Sequence, residues 1–433
     1  MKLNRRKLIA GASAVTAAGA LGMTSVSTGQ AQDGALQIEY WHRQSGDAAL
    51  AIESAAAAFN EAFAGEIEVL PVAQGDIATL TQKVRAAAAG GGLPAALMAD
   101  DADILSYYSS EIIVPLDTYL DDPEYGLSDE DRADFLPNQL DRHKLSIYDD
   151  NTMTYPIGFS TYGFFWNQDA VSNAGMSEPP KTWEEFPDAV RAIAAANPGM
   201  VFNTQSDLGP VLIFLMSNHR VSWLKENGIE SNFDAPEVLD ILTWISELAA
   251  EGVLVPDSAH TDLFIAQSNM FVLQSSTLAR RLNNEVTEFT WGGGLPPQAS
   301  LDVDPLTELF GPLNTIPKTD EETQMAGWRW LKWLTEPAMH AQYNAAAGYF
   351  PARYSAAEES ALVAYYATNP IHGEMFETVA PYARIPDQGP GLIAIRGSIA
   401  SNTMSELVLG RLTPEEAQLK LKAEADAEIE AAS

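Results

Sequence analysis

Residues 38–63 read IEYWHRQSGDAALAIESAAAAFNEAF, and this stretch decides the fold class. A short apolar run, Ile38 to Trp41, ends at a polar patch over 42–47, and Ile52, Phe59 and Phe63 then recur on one helical face. Strand, loop, helix is the opening of an α/β domain. Working outward, residues 66–72 read as a second strand and 77–89 as a helix closed by Gly90, Gly91 and Gly92. Residues 93–98 read as a third strand, with 99–103 as the loop at its carboxyl end. Ligands of open α/β sheets sit beyond the carboxyl ends of the strands, so 42–47 and 100–103 are candidate rims of one cleft.

Further along, Ser128 to Asp131, Thr182 to Glu185 and Thr413 to Glu416 each place a capping residue three before an acid, and Pro414 follows the last cap. Residues 154–166 are rich in aromatic and β-branched side chains, as a strand crossing between two lobes would be. Residues 270–273, 289–291 and 313–316 read as short strands, and the chain after Lys318 as mostly helical.

The first 31 residues carry Arg5 and Arg6 ahead of an apolar run from Leu8 to Met23, then a small-residue end at Gly29, Gln30 and Ala31. This is the pattern of a cleaved twin-arginine export signal, and cleavage is expected near Ala31. The run is short for a membrane span. Without any cysteine there is no lipid-attachment residue and no disulfide, so a free periplasmic protein held together by its core is expected. The formal charge is −34, and −38 once Lys2, Arg5, Arg6 and Lys7 are removed with the signal. Nucleic acid and anionic membranes are poor partners for such a chain. Acidity of this size also suits a high-salt habitat.

The six histidines, His42, His143, His219, His260, His340 and His372, show no HxxxH or HxH pair, so no metal site is expected. There is no Walker A segment, no strand-linked GxGxxG beyond the signal and no GxSxG elbow, so no catalytic residue and no cofactor are assigned. Acid pairs such as Asp100–Asp101 and Asp121–Asp122 leave one alternative of another class, a secreted carbohydrate-active enzyme.

Tyr40-Trp41-His42, Trp166-Asn167-Gln168-Asp169, residues 179–185 (PPKTWEE), the Trp328 to Leu334 helix with Glu336-Pro337, and Gly348-Tyr349-Phe350-Pro351 occur in an order that resembles the extracellular solute-binding proteins of ABC importers, carbohydrate type. The likeness covers essentially the whole chain after the signal. It implies a type II fold of two α/β lobes that close by a hinge between crossing segments. Residues 32–150 with 280–320 are expected to form one lobe, and 151–279 with 321–433 the other. Within the family the chain is most similar to proteins binding sn-glycerol 3-phosphate or glycerophosphodiesters.

That likeness implies a ligand set. Asp101 would hold glycerol hydroxyls, Arg396 would pair with phosphate, Ser160, Ser275, Tyr349 and Gly311 would add polar contacts, and Trp183 would pack on the ligand. Ile77 departs from it, standing where a ligand-holding tyrosine is expected, and the alignment at Arg396 needs a one-residue gap. An arginine fork with hydroxyls suits phosphate, and a carboxylate suits a polyol. The implied protein is a monomeric periplasmic receptor that delivers a polyol, phosphorylated polyol or sugar to ABC permease subunits in the inner membrane. A neutral mono- or oligosaccharide is the alternative ligand. Arg353 is a second phosphate candidate, with a surface salt bridge as its other reading. Trp328, Trp330 and Trp333 read as packing residues.

Overall fold

The computed structural model describes residues 34–432. The expected export signal and its cleavage point lie outside them. Strands β1 (Leu36–His42), β2 (Ile67–Ala73), β3 (Ala96–Ala99), β4 (Ile113–Val114) and β5 (Tyr155–Pro156) come first, then β6 (Ser160–Asn167), β7 (Phe202–Thr204), β8 (Leu254–Pro256), β9 (Phe271–Ser275), β10 (Trp291–Gly294), β11 (Thr307–Phe310), β12 (Leu313–Pro317) and β13 (Ala383–Arg384). The first sheet runs β2-β1-β3-β12-β4, with β5 beside β12. β1 is parallel to β2 and β3, whereas β12 is antiparallel to its neighbours. Parallel neighbours need a crossover connection. Helices α1 (Gly46–Ala62) and α2 (Ile77–Gly90) supply it, as the opening stretch predicts. The second sheet runs β10-β6-β11-β13 with β9 beside β6, and β7 and β8 form a small parallel pair.

Each sheet has its own core. Tyr40, Phe59, Leu97 and Met98 of the first are joined by Trp328, Trp330 and Leu331 from the helix Glu321–Leu334. Phe164, Trp183, Phe186, Phe214 and Trp223 lead the second. The tryptophan helix is therefore packing, as its spacing indicates.

Two chain segments cross between the sheets by strand continuity. One is 157–159, which links β5 in the first sheet to β6 in the second; the other is the turn at Gly311 between β11 and β12. A third passes at Phe350, whose N–H and C=O both bond Phe159, at 2.7 and 2.9 Å. The lobe boundaries differ from the expected ones on both sides of these crossings. β10 and β11 pair with β6, so 291–310 belongs to the second lobe. The helices Glu321–Leu334 and Pro337–Ala347 and the turn to Ala352 pack on the first core, so that segment belongs to the first lobe. The cause is β12: once it returns to the first sheet, the short link at Pro317 forces the following amphipathic helix onto that same sheet.

Candidate functional site

The two candidate rims do meet. Arg43, one residue beyond β1, forks onto Asp100 beyond β3, with Nε donating to Oδ2 at 3.0 Å and Nη2 to Oδ1 at 2.7 Å. Burial pushes the Asp100 carboxyl up, and Arg43 opposes that shift. His42, stacked on Tyr40, is buried, and burial brings it down to about 4, so its ring is neutral at ordinary pH.

Asp101 does not sit in a loop, as the sequence reading had 99–103. It opens helix α3 (Asp101–Ser109), where its charge and that of Asp103 complement the positive end of the helix dipole. Its Oδ1 accepts from Arg142 Nε at 2.8 Å, its Oδ2 accepts from Arg142 Nη2, and His143 Nε2 stands 3.3 Å from Oδ1. The Arg142 side chain is fully buried, and its remaining Nη1 has no hydrogen-bond partner among the described residues. Burial lowers His143 to about 4 against the pull of Asp101, so the imidazole is neutral. A carboxylate offers about four lone-pair sites. Asp101, 22% exposed, therefore keeps acceptor capacity for a ligand while Arg142 fixes its direction.

The second lobe supplies the opposite wall by strand alternation. Tyr162 faces Ser275 and Ser160 faces Phe310 across the β6–β9 and β6–β11 pairs. Residues directly opposite share a face, and a strand repeats every second residue. Ser160, Tyr162, Ser275, Glu308 and Phe310 therefore lie on one face. Ser160 and Glu308 are buried, whereas Ser275 is half-buried and shares a 2.9 Å hydrogen bond with Thr277 Oγ1. Arg396 reaches this face from a π-helical turn, Ile395–Ile399, and its Nη2 lies 2.5 Å from Glu308 Oε1. Arg396 and Glu308 form a close ion pair through Oε1, and Glu308 Oε2 has no hydrogen-bond partner among the described residues. Burial raises the Glu308 carboxyl and Arg396 opposes it. Asp101 and Arg142, from the other lobe, are close enough to push it up and down respectively.

Gly311 and Tyr349 stand at the crossings. Gly311 has φ 119°, and a Cβ there would sit 2.8 Å from Phe159 Cα, so only glycine lets the two crossing segments touch. The half-buried Tyr349 ring stacks 6.2 Å from Tyr343, whose hydroxyl accepts from Gln44 Nε2 at 2.8 Å.

Two readings of the sequence change. Trp183 is only 5% exposed inside the second core, stacked against Trp244, with its indole N–H on Asn218 at 3.0 Å; it supports the lobe and does not line the cleft. Arg353 is neither on the cleft nor at the surface. It is buried and forks between Asp131 at 2.8 Å and Asp134 at 2.6 Å, locking the third crossing to the first lobe. Ile77 begins α2 and is 47% exposed. Sequence reasoning missed Arg43, Arg142 and Glu308. Glu308 did leave a trace, as a lone acid inside the strand Thr-Glu-Leu-Phe.

A separate groove of about 650 Å³ is lined by none of these charged residues. Leu105 and Tyr108 line one side and Leu392 and Ile393 the other.

Set beside known proteins, residues 54–371 match the family model of the bacterial extracellular solute-binding proteins. The chain belongs to that family. The sn-glycerol-3-phosphate-binding periplasmic protein UgpB of Salmonella typhimurium is 25% identical over 367 residues, covering 81% of this chain and 82% of its own. Among solved structures, the cyclic α-maltosyl-1,6-maltose binding protein of Arthrobacter globiformis superposes with TM-score 0.78 at 17% identity, over 92% of this chain and 100% of that one. UgpB of Mycobacterium tuberculosis, solved with glycerophosphocholine, gives 0.77 at 18% identity, over 91% and 98%. The architecture is the type II periplasmic binding fold, and these relatives are binding proteins rather than enzymes. Membership in an extracellular family places the chain outside the cytoplasm. Among the described residues no helix is long and apolar enough to cross a membrane, and no group of three or more His, Asp or Glu is placed to hold a metal ion.

Proposed function

We propose that this protein is the periplasmic substrate-binding component of an ABC importer. It captures a glycerophosphodiester between its lobes and hands it to permease subunits. One observation carries the reading: Asp101 on the first lobe and the Glu308–Arg396 pair on the second approach each other across the cleft, beside Ser160 and Ser275. A ligand touching both walls stabilises the closed arrangement of the lobes, and no step of bond making is required. Asp101 accepts from glycerol hydroxyls and Arg396 faces the phosphate. The likeness to UgpB proteins supports the same ligand class. The second reading, a neutral saccharide, is favoured by the carboxylate partner that each of Arg43, Arg142 and Arg396 already carries.

The test is a thermal-shift titration of residues 32–433 with glycerophosphocholine, sn-glycerol 3-phosphate, maltose and other neutral sugars. A ligand at a hundred times its dissociation constant adds about 2.7 kcal/mol. Stabilisation by glycerophosphocholine is expected; stabilisation by sugars alone transfers the role to saccharides. Turnover of a glycan by the purified protein contradicts the receptor reading altogether.

A further inference from the structure

We infer that Glu308 is a specificity-determining residue that makes the cleft reject phosphate monoesters and admit ligands without net negative charge. The inference rests on the receptor reading above. Glu308 is 2% exposed, so its carboxylate cannot rely on bulk water for its hydrogen bonds. Its Oε1 is held by Arg396 at 2.5 Å, while its Oε2 has no hydrogen-bond partner among the described residues. Buried acceptors of this kind are ordinarily satisfied, and each one left open is a place for a donor to arrive. Across the cleft Arg142 Nη1 is equally buried and equally without a partner. The second lobe thus carries an acceptor without a partner and the first lobe a donor without one.

The charges set the sign of the selection. Arg43 is matched by Asp100, Arg142 by Asp101 and Arg396 by Glu308, so the three cationic groups at the cleft bring no spare positive charge. A phosphate monoester brings close to two negative charges at neutral pH and no hydroxyl hydrogens on its phosphoryl oxygens. Seated against Arg396 it also meets Glu308 and, from the other lobe, Asp101. Like charges at such distances are costly where solvent is excluded. A phosphodiester brings one negative charge, and a cationic substituent on it cancels that charge while turning a positive end toward the carboxylates. A neutral polyol instead donates hydroxyl hydrogens to Glu308 and accepts from Arg142.

Calorimetric titration of the wild-type protein and of Glu308→Gln with sn-glycerol 3-phosphate, glycerophosphocholine and maltose tests the inference. In the wild type, glycerophosphocholine or maltose is expected to bind at least tenfold more tightly than glycerol 3-phosphate. In Glu308→Gln, glycerol 3-phosphate is expected to gain at least tenfold, because Arg396 is then free to serve the phosphate. The wild-type rank order stands as a test even if the variant fails to fold. Tighter wild-type binding of glycerol 3-phosphate than of both other probes, or an unchanged or weakened affinity for it in Glu308→Gln, overturns the role of Glu308 and leaves the receptor reading intact. Binding of none of the three overturns both.

Discussion

Arg142 is the residue on which the geometry of the cleft depends most, and replacing it with methionine tests that dependence. Arg142→Met keeps much of the side-chain volume and removes two hydrogen bonds to Asp101, one of them 2.8 Å long. Hydrogen bonds to charged groups are worth about 1.5–3 kcal/mol each. Breaking a buried ion pair costs about 3–5 kcal/mol, mainly through the charge left behind. Here that charge is on Asp101, which is 22% exposed and regains part of its hydration, so the loss falls to about 2–3 kcal/mol. With an unfolding entropy of about 2.1 cal/mol/K per residue over roughly 400 residues, this lowers Tm by about 3 °C. Asp101→Asn alone strands a fully buried guanidinium and is expected to cost more. Calorimetric melting of both single variants and of the double variant gives the coupling between the two residues, expected to be at least about 1 kcal/mol. Additive single effects would show that Arg142 does not hold Asp101, and the reasoning about a pre-set ligand carboxylate would then be refuted.

Two further outcomes follow from buried groups and backbone. Burial brings His42 and His143 down to about 4 and His340 and His372 to about 3, so each stays neutral in the folded protein while its unfolded counterpart takes up a proton below about 6.5. Stability must therefore fall as pH drops from 6.5 toward 4, with each histidine contributing up to about 1.4 kcal/mol per pH unit. At lower pH, Asp131 and Asp134 add to the loss: although burial opposes their charge, hydrogen bonds from Arg353, Ser128 and Ser355 hold both below the usual carboxylate range. Their contribution is complete above the unfolded carboxylate pKa and disappears as pH falls through the folded one. Melting curves from pH 7 to 3 check both parts, and a flat profile between 6.5 and 4 contradicts the histidine assignment. Gly311→Ala forces a φ of 119° on a residue with a Cβ 2.8 Å from Phe159 Cα; a loss of about 1–3 kcal/mol in Tm-derived stability is expected. An unchanged Tm would mean the crossing segments are not held in contact there.

The parts of the fold legible in the sequence are those fixed by local pattern. The strand at 38–41, the helix carrying Ile52 and Phe59, and the capping box at Ser128 and Asp131 need only neighbours in the chain to be recognised. The lobe boundaries depended on which sheet β11 and β12 join. That is a matter of long-range pairing, and the link through Gly311 looks the same for either choice. Asp101 read as a loop residue because a helix only nine residues long, rich in acid and tyrosine, leaves a weak apolar stripe. Arg142 was invisible as its partner because 41 residues separate the two and nothing local marks the pairing. Arg396 was marked by the family likeness as an arginine that pairs with an anion. The internal anion it found, Glu308, lies in a strand distant in sequence, and that discovery changes what the cleft is expected to admit.

Hydrogen exchange of the protein with and without the ligand that stabilises it most is the direct measurement of the central claim, a ligand held between the lobes. Amides of 101–108 on the first lobe, and of 308–311 and 392–399 on the second and its crossing, are expected to slow together on binding. Protection confined to one lobe, or to surfaces away from these three segments, would contradict the account.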